Sequence, residues 1–273
     1  MNNNFGKYGI PPTLQILLDI KNRVGYESFD RALHFDTSLG NFRYFNTPMD
    51  VVIFGTIGVD GIHYGFLTDF GQCDKLEDSP IVCVSPMDFE CPTRIIANNL
   101  REFLALNWDD SALFYNYFES EEDYLNSKKR WAEECSRSPY QPTEAEKQTE
   151  KEIRKMLLDH INLPVIDNPY QHIKMVEQER FNHITIDTQD HLGVITPLPN
   201  DTVHLYFPVD DSIPDLEDLK EFFSVAPLAS KQVLFRDIQS NSLMIDHEPL
   251  LKIIFQELKD QGLYNELNRL VHS

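Results

Sequence analysis

Apolar positions change their spacing along the chain, and each change marks an element. In PPTLQILLDIKNRVG, Leu14, Leu17, Leu18 and Val24 recur at near-helical intervals, the paired prolines suit a first turn and Gly25 offers a left-handed stop. A helix is predicted there. The blocks then shorten: DVVIFGTIG, GIHYGFLTDF and PIVCVSP are rich in β-branched and aromatic residues and bounded by Gly, Pro and Asp, which predicts strands. No helical block separates them, so they are expected to pair antiparallel. In GIHYGFLTDF, alternation puts Ile62, Tyr64, Phe66 and Phe70 on one face, expected to meet the core, and His63, Gly65, Leu67 and Asp69 on the other.

Helical spacing returns at NNLREFLALNW, where Asn99 can cap and Glu102 can reach back, and is expected to continue through DDSALFYNYFESEEDYLNSKKRWAEEC. SRSPYQPT, residues 136–143, combines prolines with small polar residues and reads as a linker. Behind it TEAEKQTEKEIRKMLLDHI carries a Thr143–Glu146 capping box and a Glu150–Arg154 pair. DNPYQHIKMVEQERF is expected to be helical behind its Asn168–Pro169 start. HITIDTQDHLGVITPL and TVHLYFPV read as strands, DLEDLKEFF and EPLLKIIFQELKDQG as helices, the last stopped by Gly262. The predicted class is α+β.

Five of the eleven glycines fall between Gly55 and Gly71. A phosphate-binding loop would need a helix N-terminus after them, and strand-type residues follow instead. The expected role is architectural: VDG makes a hairpin turn with positive φ, and Gly65 marks a bulge or a close backbone approach. His63, with Asp60 and Asp69 nearby in sequence, reads as a satisfied sheet histidine or a partner contact, because no nucleophile or metal set accompanies it. The later histidines are irregularly spaced, and the four cysteines form no C-x-x-C pair and read as reduced thiols. No cofactor and no metal is expected.

At 273 residues and 41% hydrophobic, the chain can bury a sizeable core. No apolar run approaches the roughly 18 residues of a membrane span, and MNNNFGKYGIPP lacks the layout of a leader, so a soluble cytoplasmic protein without a membrane partner is expected. Charge narrows the partners further. The 24 basic and 44 acidic residues give −20, which argues against a nucleic-acid backbone as partner. Residues 1–107 carry −5 of this and residues 108–273 carry −15, with runs in WDDSALFYNYFESEEDY and PVDDSIPDLEDLKEF. Such a surface either keeps the protein soluble or steers a basic partner toward it. Composition leaves both open.

The order of segments resembles the SUKH superfamily, which includes bacterial immunity proteins and fungal cell-wall-synthesis regulators. The residues that carry the likeness are Pro11 and Pro12 before the first helix, Gly58-Val59-Asp60-Gly61-Ile62-His63-Tyr64-Gly65, Pro80-Ile81-Val82, and Ile96-Ala97-Asn98-Asn99-Leu100 running into Glu102-Phe103-Leu104. They span residues 10–107. The family's N-terminal tryptophan pattern is incomplete, since Trp108 and Trp131 both come later. The resemblance implies a twisted antiparallel sheet flanked by helices over residues 1–138, and leaves residues 139–273 as an acidic α+β extension or a second domain.

It also implies a function without catalytic residues: a non-enzymatic immunity protein that binds a toxin domain, possibly a nuclease, directly and stoichiometrically. A scaffold or regulator is the alternative, and an uncharacterised enzyme a third reading. A toxin that acts on nucleic acid must carry a basic cleft, so the partner is expected to be basic. The candidate contacts are Asp60, His63 and Asp69 beside the hairpin, and Glu121, Glu122 and Asp123 in the acidic run. Tyr115, Tyr117 and Phe118 are candidate aromatic anchors or helix core.

Overall fold

The structure is a computed structural model and is described over residues 4–37, 39–40, 42–88 and 90–271. Its order begins with helices α1 (Pro12–Val24) and α2 (Tyr26–Leu33). Strands β1 (Asp36–Thr37), β2 (Val51–Thr56), β3 (His63–Leu67), β4 (Ile81–Val84) and β5 (Thr93–Ala97) follow, then α3 (Leu100–Asp110), α4 (Ala112–Tyr115), α5 (Glu121–Arg137), α6 (Glu144–His160) and α7 (Pro169–His183). Four helices close the chain: α8 (Leu216–Val225), α9 (Leu228–Ser240), α10 (Glu248–Asp260) and α11 (Tyr264–Val271). The strands form one antiparallel sheet in sequence order, β1 to β5. The fold is α+β.

The glycine-rich stretch shapes this sheet. Asp60 (φ 51°) and Gly61 (φ 70°) make the left-handed turn between β2 and β3. Ile53 pairs with Gly65 and Gly55 with Tyr64, so Phe54 is the extra residue of a bulge. A Cβ on Gly65 would overlap the Val51 side chain and lie 3.0 Å from the Val52 carbonyl oxygen. Bulge and close approach therefore coincide at one glycine. A second bulge between β4 and β5 leaves Ile96 unpaired and turns both Ile96 and Ala97 toward the same core.

Both faces of the sheet are covered, where alternation predicted one. On the first, Val52, Phe54, Tyr64 and Phe66 pack with Leu14 and Leu17 of α1 and Phe103 of α3, and the Tyr64 and Phe103 rings lie 4.8 Å apart. On the second, Val51, Leu67, Val82, Val84 and Ile95 pack under Val176 of α7 and Leu192. Each such side chain contributes about 1.5–3 kcal/mol by leaving water. Leu67 is fully buried because residues 169–192 fold back over the face it shares with His63.

That return also decides where the cores divide. Ile153 and Leu157 of α6 and Ile173 of α7 join the same core as Phe103, so the polar segment 136–143 crosses the surface without separating two cores. A second core is built from α8 to α11 around Leu219, Phe235, Ile254 and Leu258, and the N-terminal part lends it Met49 and Phe70.

Three other expectations differ from what is found. The long helical run after α3 is broken: Asn116 is extended, Phe118 turns into the core, and Ser120 starts a new helix by accepting from the Asp123 N–H at 3.1 Å. The strands expected over HITIDTQDHLGVITPL and TVHLYFPV reduce to one isolated antiparallel bridge, Ile186 with Val194. Pro197, Pro199 and Pro208 lack the donors a ladder needs. Helix α9 escaped the pattern because nearly every residue from Ala229 to Gln239 is buried, which removes the polar face that betrays a helix. Among the described residues, all four cysteines are free, and no helix is long and apolar enough to cross a membrane.

Candidate functional site

The hairpin places its three candidate residues differently. Asp60 sits exposed at the tip. His63 is fully buried at the start of β3, which corrects its expected place at a partner contact. Its Nδ1–H donates to the Gly61 carbonyl at 2.7 Å, and its Nε2 accepts from the Thr47 hydroxyl at 3.1 Å. These partners fix one neutral tautomer. Burial pushes the imidazole down to about 4 against the hydrogen bond to Gly61, which favours the proton. His63 is a satisfied sheet histidine.

Asp69, the other candidate contact here, is also largely buried. Its carboxylate accepts two bonds from Arg180 of α7, at 2.6 and 3.0 Å, the fork geometry of a strong pair. Arg180 further donates to the carbonyls of Leu192 (2.7 Å) and Gly193 (3.2 Å), so one guanidinium ties the end of β3, α7 and the 192–193 turn together.

Behind this pair lies a second buried guanidinium. Arg236 of α9 donates to Asp50 at 2.6 Å and to Asp190 at 3.1 Å, and it stands over the Phe70 ring. Burial alone would depress Arg236, but the combined attraction of Asp50, Asp190 and Asp69 outweighs it and raises its pKa. Burial lifts Asp50 to about 6, with Arg236 opposing and the neighbouring carboxylates assisting. A third buried arginine, Arg269 of α11, pairs with Glu266 at 2.7 Å and donates to the carbonyls of Met49 and Asn4. Gln239 completes the layer by donating to the Thr47 carbonyl and accepting from the Met49 N–H. Thr47, Met49 and Asp50 are thus bound by side chains of the C-terminal helices.

Where Asp69 and Arg180 approach the surface they line a groove of about 590 Å³, whose walls carry Asp74, Asp78, Glu179 and His183. A second depression of about 570 Å³ lies across the Cys73–Asp78 loop and adds Lys7 and Glu77. Cys73 borders both. Its thiol is raised by burial, against the opposing hydrogen bond of 2.6 Å with the Ser79 hydroxyl, so it is held protonated, away from the thiolate that nucleophilic chemistry requires. Lys75 and Arg180 line the same groove, so its carboxylates outnumber its cations without standing alone.

The acidic run forms the first turn of α5, where carboxylates complement the helix dipole. Glu121 accepts from Gln171 at 2.6 Å and Asn168 at 2.7 Å, bonds that hold it below the ordinary carboxylate value and fasten α5 to α7. Asp123 accepts from the Glu119 N–H at 3.3 Å and remains exposed, as does Glu122. Among the aromatic candidates Phe118 is core, Tyr115 is half-buried and Tyr117 is 77% exposed. Asp60, Glu122 and Asp123 are therefore the fully exposed members of the expected set.

The residues that organise the interior, Arg180, Arg236 and Arg269, were missed by sequence reasoning. The available signal was a lone arginine within an apolar stretch, VLFRDI for Arg236 and LNRLV for Arg269, where a charge must find a buried partner. The buried class holds five acids, Asp50, Asp69, Asp190, Asp237 and Glu266, against Arg236 and Arg269, or −3 of the total −20; the remaining −17 is on side chains that reach solvent. No family model, no curated protein and no solved structure matches this chain.

Proposed function

We propose that the chain is a non-enzymatic binding module that neutralises a basic protein toxin, of the kind that acts on nucleic acid, by occupying its positively charged cleft one to one. The observation that supports this reading is the −17 on solvent-reaching side chains, against −3 on buried ones. A field of that size accelerates encounter with a basic surface and rejects acidic ones. Exposed Asp60, Glu122 and Asp123, and the carboxylates Asp74, Asp78 and Glu179 around the groove, supply fixed points for lysine and arginine side chains. The resemblance of residues 10–107 to the SUKH superfamily agrees with such a role.

The test is calorimetry at low and raised salt against the toxin domain encoded beside this chain in its own genome. The expected result is one-to-one binding that weakens with salt and abolishes the toxin's activity. Absence of binding at both salts, or binding that salt does not touch, would overturn the reading.

A further inference from the structure

Residues 202–210 are written in strand-forming side chains and have no strand beside them. Among the described residues, no backbone–backbone hydrogen bond involves any position from 203 to 214. Val203 is 76% exposed and Tyr206 is 67% exposed, with Leu205 between them also open to solvent. A free apolar edge of this kind is what proteins ordinarily shield.

The segment is nevertheless held from one side. The Phe207 ring packs on Phe222 at 5.3 Å, and Val209 packs against the second core. The Ser230 hydroxyl of α9 accepts from the Leu205 N–H at 3.0 Å and meets His204 Nδ1 at 2.9 Å, while Gln189 donates to the Val209 carbonyl at 2.9 Å. Inner side chains anchor it, and outer ones stay bare.

The sequence on either side of it is negative. Asp201 precedes it, and Asp210, Asp211, Asp215, Glu217 and Asp218 follow, all exposed. Between residues 201 and 224 the sole Lys or Arg is Lys220, already paired with Glu217 at 2.6 Å. Two copies pairing through this segment would bring like charges together, so the charge selects against self-association.

We infer that residues 202–210 are a docking edge for an extended, lysine- or arginine-bearing segment of a partner protein, which adds to it as a strand. Main-chain bonds to residues 203–207, before Pro208, which has no N–H to give, supply the register, apolar side chains of the partner cover Val203 and Tyr206, and its cations meet the flanking aspartates. This deepens the proposed function, resting on the reading of the chain as a binder of a basic protein, and places the contact on a segment outside the SUKH-like residues.

The experiment is amide hydrogen exchange of the full chain with two synthetic peptides, one alternating valine with lysine and one alternating valine with glutamate. The expected result is protection confined to residues 203–210 with the lysine peptide, at least tenfold tighter than with the glutamate peptide, weakened by salt and lost in the double variant Val203→Lys, Tyr206→Lys. Both positions are exposed, so that variant is expected to fold, which circular dichroism checks. Equal binding of the two peptides, or no protection of 203–210, would overturn the inference. The same measurement on the complex with the toxin domain separates the two claims. Binding without protection at 203–210 leaves the proposed function standing and removes the edge, whereas peptide binding without toxin binding does the reverse.

Discussion

Asp50 and Arg236 are separated by 186 residues in the chain and by 2.6 Å in space. The contact joins the residue just before β2 to the middle of α9, and through Asp190 and Asp69 it reaches the cover on the second face of the sheet. A buried guanidinium with several carboxylates around it is an expensive arrangement that becomes costlier when broken. Its position makes the sheet and the C-terminal helices depend on one another.

Arg236→Met is therefore expected to lower the unfolding free energy by about 3–5 kcal/mol, because Asp50 and Asp190 are left buried without their counter-charge. Urea denaturation measures it. Adding Asp50→Asn and Asp190→Asn to the Met variant should return part of the loss, since the orphaned charges disappear with it. A loss below about 1 kcal/mol for the single variant would show that the layer is not holding the two parts together.

The neutral His63 gives a pH dependence whose sign follows from its partners. Its folded value of about 4 lies below the ordinary 6.5, so the unfolded chain takes up a proton near pH 5 that the folded chain refuses. The stability it contributes is complete above pH 6.5 and declines as pH falls toward 4, by roughly 3 kcal/mol at most. Asp50 and Asp237, each raised to about 6 chiefly by burial, act oppositely: their contribution is complete at low pH and is lost as pH rises through 6. His63→Gln, which can keep both hydrogen bonds, should remove the acid-side decline and leave the carboxylate trend. Urea midpoints at pH 4.5, 5.5 and 6.5 test this, and parallel profiles for the two proteins would refute it.

The local part of this fold was legible in the sequence. Capping residues, hairpin glycines and strand composition act within a few positions, so Asn99, Thr143, Asn168, Asp60 and Gly61 take the roles their neighbours dictate. Tertiary burial was not. Alternation through His63, Gly65, Leu67 and Asp69 looked like a solvent face because it is partly polar, yet His63 is satisfied by Gly61 and Thr47, and Asp69 meets Arg180 from 111 residues away. The exposed candidates of the site, Asp60, Glu122 and Asp123, follow from local context, whereas the groove beside Arg180 depends on where α7 returns.

Gly65 offers a steric test with an internal control. Alanine at Gly65 would press on Val51 and the Val52 carbonyl, and is expected to cost about 1–3 kcal/mol. At Gly9 a Cβ would meet nothing within 4 Å and φ is not positive, so Gly9→Ala should be neutral or slightly stabilising. Thermal melts of the two variants decide, and equal shifts would contradict the close approach at Gly65.

The four thiols should separate in reactivity. Cys135 is exposed at the end of α5, whereas Cys83 is buried in β4 and pushed up to about 12 chiefly by that burial. A disulfide reagent at neutral pH is expected to modify Cys135 within minutes and Cys83 only after denaturant is added, with mass mapping of the labelled peptides as the readout. Rapid labelling of Cys83 in the native protein would mean that the first face of the sheet opens far more readily than its packing implies.

Arg180→Lys tests whether the fork, and not merely the charge, holds α7 over the sheet. The guanidinium serves both Asp69 oxygens and two carbonyls at once, while a lysine ammonium has three donors in a different geometry and cannot match that planar array. Unpaired acceptors in a site this buried are costly, so the substitution should lower stability by about 1–3 kcal/mol although the charge is retained. Amide exchange should quicken first at the C-terminal end of α7 and at the Ile186–Val194 bridge, because the start of α7 is also tied to α5 through Glu121 and to the first core through Ile173, while β2 and β3 stay protected. Arg180 also lines the groove, so a lysine that left stability unchanged but weakened partner binding would assign the residue to recognition instead of architecture.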